Sequence, residues 1–218
     1  MKLISSKQRN CGMTAFEVLM VVACVLVLAA LLLPLLAVER TRANRMNCVS
    51  NLKQINIALR IWEGDNGMKY PMSVSVTNGG AMELMETGNL AGCFQVASNE
   101  IYVTKVLVCP GDTGRAYAPD WSALNGSNIS YFLSADLSNS DNPGGIMDGD
   151  DNLAFGRRLI KPGLLEIPSN SPVAWSGTRH GFEGNIGMAD GSVRMASSND
   201  LQHAFQGTRL ATNRIVIP

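Results

Sequence analysis

The order of apolar and polar residues predicts one long helix at the N-terminal end of the chain. Between Val18 and Val38 no residue carries a charge, and about 20 such residues are enough for a helix to cross a bilayer core of ~30 Å. Past this run, apolar side chains recur at every third or fourth position, which is the period of an amphipathic helix. They are Met46, Val49, Leu52, Ile55, Leu59 and Trp62.

Proline and glycine set the expected form of this helix. Pro34 removes one backbone hydrogen bond and is expected to bend the helix, which membrane-spanning helices tolerate. Gly64 and the turn sequence at 65–67 are expected to end it. We therefore predict a helix from about residue 14 to about residue 63, with a membrane-spanning segment at 13–38 and an amphipathic continuation at 39–66.

The remainder of the chain, 67–218, alternates short β-like segments with glycine and proline turn signals. Asp190-Gly191 stands between two apolar runs, which predicts a β-hairpin with a two-residue turn. A short helix is expected within 82–99, and the Asn/Asp/Gly-rich stretch at 136–152 is expected to be a loop. Strands are predicted at 101–109, 129–135, 171–177, 185–195 and 214–218. The predicted fold class is α+β, a long N-terminal helical spine packed on a small, mostly antiparallel sheet.

Composition narrows the possible classes of function. Lysine plus arginine equals aspartate plus glutamate at 18 each, so the chain lacks the excess positive charge typical of nucleic-acid-binding proteins, and no nucleic acid partner is expected. His180 and His203 are its two histidines, which leaves little material for acid–base or triad catalysis. The cysteines show no C-x-x-C spacing, which argues against a zinc site. We expect a protein that is not an enzyme and has no resident cofactor.

The residues before the apolar run indicate how the helix would sit in a membrane. The first twelve residues contain Lys2, Lys7 and Arg9 and no acidic residue. By the positive-inside rule this basic segment stays in the cytoplasm, and the chain beyond Val38 lies across the membrane. The alternative is a cleaved signal peptide, whose apolar core has roughly 7–15 residues and is followed by a small-residue cleavage site. The longer run here, with no A-x-A site after it, favours a retained single-pass helix.

Two short motifs carry a family resemblance. The segment from Gly12 to Glu17 (GMTAFE), with a basic leader at 1–12 and the apolar run after it, resembles the cleavage and methylation signal of type IV prepilins. Pro34 falls where many pilins carry a helix-bending proline. The family pattern usually has Phe in place of Met13 and an aliphatic pair in place of Ala15-Phe16.

The second motif lies near the C-terminal end. His180, nine further residues and then Asp190-Gly191 are similar to the H-X9-DG element found in a large group of prepilin-like proteins. Segments 48–55, 108–112 and 129–132 also resemble that group. The two motifs together make the resemblance much more specific than the N-terminal signal alone.

The resemblance implies a pilin-like fold and a path to a filament. Prepilin peptidase would cut after Gly12 and methylate the new amino terminus at Met13. The mature protein would stay in the cytoplasmic (inner) membrane in contact with the lipid bilayer, with its globular domain in the periplasm or outside the cell. An inner-membrane assembly platform would then add it to copies of itself or to other pilins.

The function implied is a structural subunit of a type II secretion pseudopilus or of a type IV pilus-like filament. A second interpretation keeps the same fold without the filament. In it, the protein is a membrane-tethered periplasmic domain that never polymerises and binds a ligand. Leader cleavage separates these two interpretations.

Glu17 has a specific role in the first interpretation. In a filament it would lie in a dry bundle of helices, where a buried charge needs a partner. Pairing Glu17 of one subunit with the amino terminus at Met13 of the next would fix the axial offset between them, so Glu17 and Pro34 are the expected assembly residues. The alternative is that Glu17 lies near the lipid headgroups and is only tolerated there.

Three further groups of residues are candidate sites. We expect His180, Asp190 and Gly191 to be structural, with the histidine bonded to loop backbone and Asp190-Gly191 forming a turn; metal binding and catalysis are the alternatives. Calcium takes six to eight oxygen ligands, and a cluster of side-chain oxygens makes calcium a possible cofactor, against a solvated acidic turn. The cluster consists of Asp148, Asp150, Asp151 and Asn152.

The cysteines outside the membrane segment would meet an oxidising space, where disulfides form. Cys48, Cys93 and Cys109 allow one bridge and leave one cysteine over. Cys48 and Cys109 both lie in stretches that resemble the prepilin-like group, and Cys93 does not. The resemblance therefore implies a Cys48–Cys109 disulfide that ties the helix to the sheet.

Overall fold

The computed structural model describes residues 13–156 and 158–218. The expected leader and its cleavage residue, Gly12, lie outside the described residues. The chain divides into two compact units, with the boundary between Arg40 and Thr41.

The predicted long helix is confirmed. Helix α1 spans Ala15–Asp65, and Pro34 falls within its range. In the N-terminal unit, Ala15–Leu33 has a mean hydropathy of 2.9, and none of these residues is buried. By length and composition this helix is able to cross a membrane. A signal sequence near an N-terminus has the same length and composition.

In the second unit, α1 buries the apolar stripe that its sequence predicts. Cys48, Leu52, Ile55 and Leu59 are fully buried, and Val49 and Trp62 are nearly so. Met46 is the exception, because it is 51% exposed at the start of the stripe. The helix ends within two residues of the predicted position, and the backbone N–H of Met68 closes the end by donating to the Glu63 carbonyl at 3.0 Å.

Nine strands among the described residues form two sheets, and all of their pairings are antiparallel. The strands are β1 (Tyr131–Ser134), β2 (Ile146–Asp150), β3 (Leu153–Phe155), β4 (Arg158–Leu159), β5 (Gly163–Pro168), β6 (Val173–Trp175), β7 (Gly184–Met188), β8 (Val193–Ala196) and β9 (Thr212–Ile217). The larger sheet has the order β5-β9-β1-β2-β7-β8, and the smaller has the order β4-β3-β6. The second unit is therefore α+β with antiparallel sheets, as the sequence predicts.

Short helices fill the connections. They are α2 (Met82–Glu86), α3 (Leu90–Val96), α4 (Ser98–Ile101) and α5 (Ser198–Gly207), with single 3-10 turns at Pro71–Ser73, Val76–Asn78, Thr104–Leu107 and Gly126–Asn128. Helix α5 begins with a capping box in which Ser197 and Asp200 bond each other's backbone N–H, the arrangement expected from an S-x-x-D spacing.

The larger sheet is buried on both faces. Tyr131 and Leu133 of β1 belong to the core that α1 shares with α2 and α3. Phe132, between them, belongs to a second core with α5 and the smaller sheet. Because successive strand residues point to opposite faces, this alternation places α1 on one face of the sheet, and α5 with the smaller sheet on the other.

Two local predictions were wrong. The segment 101–109 is not a strand: Ile101 ends α4, Tyr102 has a left-handed backbone with φ of +68°, and a 3-10 turn follows. A short apolar run has no periodicity that separates a strand from a buried turn of helix. The stretch 136–152 is not all loop, because its end forms β2 in the middle of the larger sheet.

Candidate functional site

The Asp190-Gly191 end of the H-X9-DG element forms the turn between β7 and β8. The hairpin is confirmed, but its loop has three residues (189–191) rather than two, since Gly187 pairs with Val193 and the Met188 N–H donates to the Ser192 carbonyl. Gly191 has φ of +83°, the left-handed position that closes a three-residue hairpin loop. The turn also contacts α1, because Arg60 Nη1 donates to the Asp190 carbonyl at 2.5 Å.

The His180 end lies in a strained turn against the Cys48–Cys109 disulfide. His180 and Phe182 both have left-handed backbones, with φ of +55° and +64°, a conformation that costs energy for residues other than glycine. His180 Nε2 is 3.3 Å from Cys109 Sγ and 3.6 Å from Asp150 Oδ2. The contacts of Nε2 among the described residues are thus with sulfur and a carboxylate, and the expected bond of His180 to loop backbone stays a prediction.

His180 and Asp190 therefore contact α1 at different places. Cys48 of the disulfide and Arg60 are separated by about 18 Å along the helix, at ~1.5 Å per residue. The described contacts bring His180 to the disulfide and Asp190 to Arg60. The H-X9-DG element is thus two contacts joined by a strand, and its histidine and aspartate do not form a common centre.

Contacts near both ends of strand β7 hold it to α1. At one end Arg45 pairs with Glu183 and donates to the Gly184 carbonyl at 3.1 Å, and at the other end Arg60 bonds Asp190. The two arginines are about 22 Å apart along the helix. Their contacts therefore anchor the helix at both ends of β7.

A glycine makes the close approach between this strand and the helix possible. A Cβ atom on Gly187 would stand 1.9 Å from Asp148 Oδ1 and 2.5 Å from the terminal amide of Asn56. Asn56 of α1, with its amide nitrogen facing the strand, donates to both carboxylate oxygens of Asp148 at 2.9 and 3.1 Å. Asn56 and Asp148 are both fully buried, so this pair is the polar centre of the helix–sheet contact.

Burial sets the electrostatics of β2. It raises the pKa of Asp148 well above its usual value, and the charge of Asp150 adds to the effect. Burial raises the pKa of Asp150 to about 6, against the lowering influence of Arg179 and of hydrogen bonds from Asn185. Burial also lowers the pKa of His180 to about 4, helped by the positive charges of Arg179 and Arg45. At neutral pH His180 is therefore a neutral imidazole.

The expected calcium ligands are dispersed among different partners. Asp148 bonds Asn56, and Asp150 accepts from the backbone and side-chain nitrogens of Asn185 at 2.8 Å each. Asp151 pairs with Arg179 and, at 2.5 Å, with Arg115. The Asn152 amide donates to carbonyls of 176, 179 and 183. These side chains do not converge on one point in the described structure, and calcium binding stays a prediction.

The structure joins Cys48 to Cys109 in a disulfide, the pair that the resemblance implies. Cys93 is a free and fully buried thiol, and Cys24 is a free thiol on the exposed apolar part of α1. Burial raises the pKa of Cys93 to about 12. Cys93 is thus an inert core residue rather than a third partner for the bridge.

At the N-terminal end of α1, Glu17 bonds Thr14. The Thr14 N–H donates to Glu17 Oε2 at 2.7 Å, and the Glu17 N–H donates to Thr14 Oγ1 at 3.3 Å. This is a capping box, which satisfies two backbone donors at the start of the helix. The T-x-x-E spacing of Thr14 and Glu17 is the sequence signal for this role, which is distinct from the predicted role of Glu17 as a membrane carboxylate.

Comparisons with protein-family models, curated proteins and solved structures found no match to this chain. The family resemblance therefore rests on the two sequence motifs. Sequence reasoning missed the arginines around the H-X9-DG element. Arg45 and Arg60 hold it to α1, and Arg179, which precedes His180, pairs with Asp112 and Asp151; only the fold brings these residues to their partners.

Proposed function

We propose that this protein is a pilin-like structural subunit of a type II secretion pseudopilus or of a type IV pilus-like filament, processed by prepilin peptidase, and not an enzyme. The observation that carries the proposal is the exposed apolar helix at Ala15–Leu33. Phe16, Leu26 and Leu33 are 70%, 65% and 66% exposed. Apolar surface on this scale needs lipid or other helices as a partner, and a filament subunit uses both in turn.

The contacts of the second unit support the same proposal. Residues of α1 from Cys48 to Trp62 fill one face of an antiparallel sheet, and the Cys48–Cys109 disulfide joins the helix covalently to this domain. The two arginine contacts to Glu183 and Asp190 add polar anchors at both ends of β7. A subunit that carries load through its N-terminal helix needs such a firm attachment between helix and domain.

Glu17 is the residue on which assembly depends in this proposal. Both Thr14 hydrogen bonds go to Oε2 of Glu17, and an ionised carboxylate accepts further bonds through its second oxygen. After cleavage behind Gly12, the amino terminus at Met13 of a neighbouring subunit is the cation that would meet this oxygen in a dry bundle. A paired buried charge of this kind fixes register between helices.

Three variants test this role in the native host. Glu17→Val removes the charge and the cap, Glu17→Gln removes the charge but keeps an acceptor for Thr14, and Thr14→Ala removes the capping partner but keeps the charge. We expect all three proteins in the membrane fraction. In the sheared filament fraction we expect Thr14→Ala near the wild-type amount, and at least tenfold less of both Glu17 variants.

Other outcomes have definite meanings. If Thr14→Ala and Glu17→Val fail equally while Glu17→Gln assembles, Glu17 acts as a helix cap and the register role is wrong. If the wild-type protein is absent from every filament fraction while its leader stays uncut, the proposal fails in favour of the membrane-tethered binding domain.

A further inference from the structure

Two side chains that commonly bind metals, Asp150 and His180, lie beside the Cys48–Cys109 disulfide. One ligating atom from each of Cys48, Cys109, Asp150 and His180 lies within 4.8 Å of all the others. The two sulfurs, a ring nitrogen and a carboxylate oxygen make a four-membered set of the type that holds tetrahedral zinc. All four side chains belong to the second unit, on α1, β2 and the turns that follow α4 and precede β7.

We propose that the reduced form of this protein binds one zinc ion through Cys48, Cys109, His180 and Asp150, so that the zinc site and the disulfide are alternative states of the same residues. In the reduced form each thiol loses its proton to solvent as a zinc–sulfur bond forms. When a disulfide-bearing oxidant accepts two electrons from the two thiolates, the Cys48–Cys109 bond forms, the oxidant takes up two protons to become a dithiol, and Zn²⁺ returns to solvent.

Asp150 carries an observation that the disulfide alone leaves unexplained. It is fully buried, and its Oδ2 accepts both hydrogen bonds from Asn185. Its Oδ1 is also buried and has no hydrogen-bond partner among the described residues. An unpartnered buried carboxylate oxygen is costly, and a cation held by the neighbouring sulfur and nitrogen ligands would satisfy it.

The net charge of the site is also the same in the disulfide form and in the proposed zinc form. A disulfide is neutral, and two thiolates with one Zn²⁺ are neutral as well, so zinc binding adds no net charge to the buried cluster. The guanidinium groups of Arg179 and Arg45 act on Asp150 in the disulfide form. Asn185, which holds Asp150, also accepts from Arg45 Nε at 3.5 Å, so the carboxylate has the outer partners that fix a metal ligand in place.

A left-handed backbone positions His180 for this role. Its left-handed backbone, followed by Gly181 and Phe182 in the same region, brings Nε2 to within 3.3 Å of Cys109 Sγ. Strained backbone is retained where the structure holds a side chain for a purpose. A Cβ atom on Gly111 would approach the His180 ring to 3.1 Å, so the loop after Cys109 leaves room for that ring.

The test is cobalt binding by the full chain in detergent, since Co²⁺ replaces zinc and reports thiolate ligands by a near-ultraviolet charge-transfer band. The protein is reduced with a phosphine under nitrogen, the phosphine is removed, and Co²⁺ is titrated against reduced and untreated samples. We expect about one Co²⁺ per chain in the reduced sample, no charge-transfer band in the disulfide form, and loss of the band on addition of Zn²⁺.

Matched variants assign the ligands. His180→Asn and Asp150→Asn should weaken cobalt binding at least tenfold, while His203→Asn and Cys93→Ser should leave it at the wild-type level. An unchanged affinity in His180→Asn, or no charge-transfer band in the reduced wild type, overturns the proposal. If the reduced chain loses its fold by circular dichroism, Zn²⁺ should restore the fold in the wild type and not in His180→Asn, and failure to restore it in the wild type also overturns the proposal.

Discussion

Cys48 and Cys109 are joined by a disulfide although 61 positions separate them in the sequence. Cys48 lies on the buried face of α1, and Cys109 follows the 3-10 turn at Thr104–Leu107. The loop that the bridge closes contains α2, α3 and α4. This one bond therefore ties together the helix and the connections that cover it.

Removing the bridge should lower the free energy of unfolding of the second unit. Closing a loop of this length is worth roughly 4 kcal/mol in the chain-entropy model, and measured losses are typically about 2–4 kcal/mol. We expect the free energy of unfolding of Cys48→Ser/Cys109→Ser to be lower by that amount, measured by denaturant unfolding followed by tryptophan fluorescence in detergent. Cys24→Ser is the control, and equal stability of the double variant and the control would contradict the assigned bridge.

The close approach of α1 and β7 at Gly187 gives a second prediction. Gly187→Ala places a Cβ atom into the space of Asp148 and Asn56, and overpacking of a rigid core costs about 1–3 kcal/mol or more. Because the displaced groups are a buried polar pair, we expect a loss of at least about 3 kcal/mol.

Gly207→Ala is the matched control for this substitution. Gly207 ends α5, and a Cβ atom there meets nothing within 4 Å, so we expect unchanged or slightly higher stability. A Gly187→Ala protein as stable as Gly207→Ala in denaturant unfolding would show that the helix and the strand are farther apart than described.

Cys93 gives a prediction about pH. Its folded pKa of about 12, raised by burial, exceeds the ordinary thiol value of about 8.5, so the folded state keeps a proton that the unfolded state loses. The contribution of Cys93 to stability is therefore present below about pH 8.5 and declines as pH rises toward the folded pKa. Between pH 9 and 10 the decline is about 1 kcal/mol.

The measurement compares wild type with Cys93→Ala, because all other titrating groups then cancel. We expect the stability of the wild type to fall more steeply than that of the variant above pH 9. Iodoacetamide at pH 8.5 should also leave Cys93 unmodified in the native protein and modify it in urea, as followed by peptide mass spectrometry. Rapid native alkylation would place the thiol at the surface.

The sequence predicted the parts of this fold that have strong periodicity or turn chemistry. The 51 residues of α1, the β7–β8 hairpin and the strands near residues 131, 173 and 215 all follow from apolar spacing and glycine signals. Strand β2 was missed because Asp148, Gly149 and Asp150 have low strand propensity. Asn56 and Asn185, both distant in sequence, bond its buried acidic residues.

The candidate site was less predictable from sequence, because its contacts also join residues that are distant in the chain. The H-X9-DG spacing singled out His180 and Asp190, yet it did not indicate that one contacts a disulfide and the other contacts Arg60. The ligand set around Cys109 comes from four separate parts of the chain, so no local spacing rule detects it. The capping box of Thr14 and Glu17 was detectable, since its residues are three apart.

Mass spectrometry of the protein from its native membrane tests the central proposal most directly. Intact mass and the N-terminal peptide should show a chain that begins at Met13 with an N-methyl group, the product expected from a prepilin peptidase acting after Gly12. A chain that begins at Met1 would contradict the filament proposal and favour the tethered domain. A chain that begins beyond Val38 would show a conventional signal peptide and contradict both.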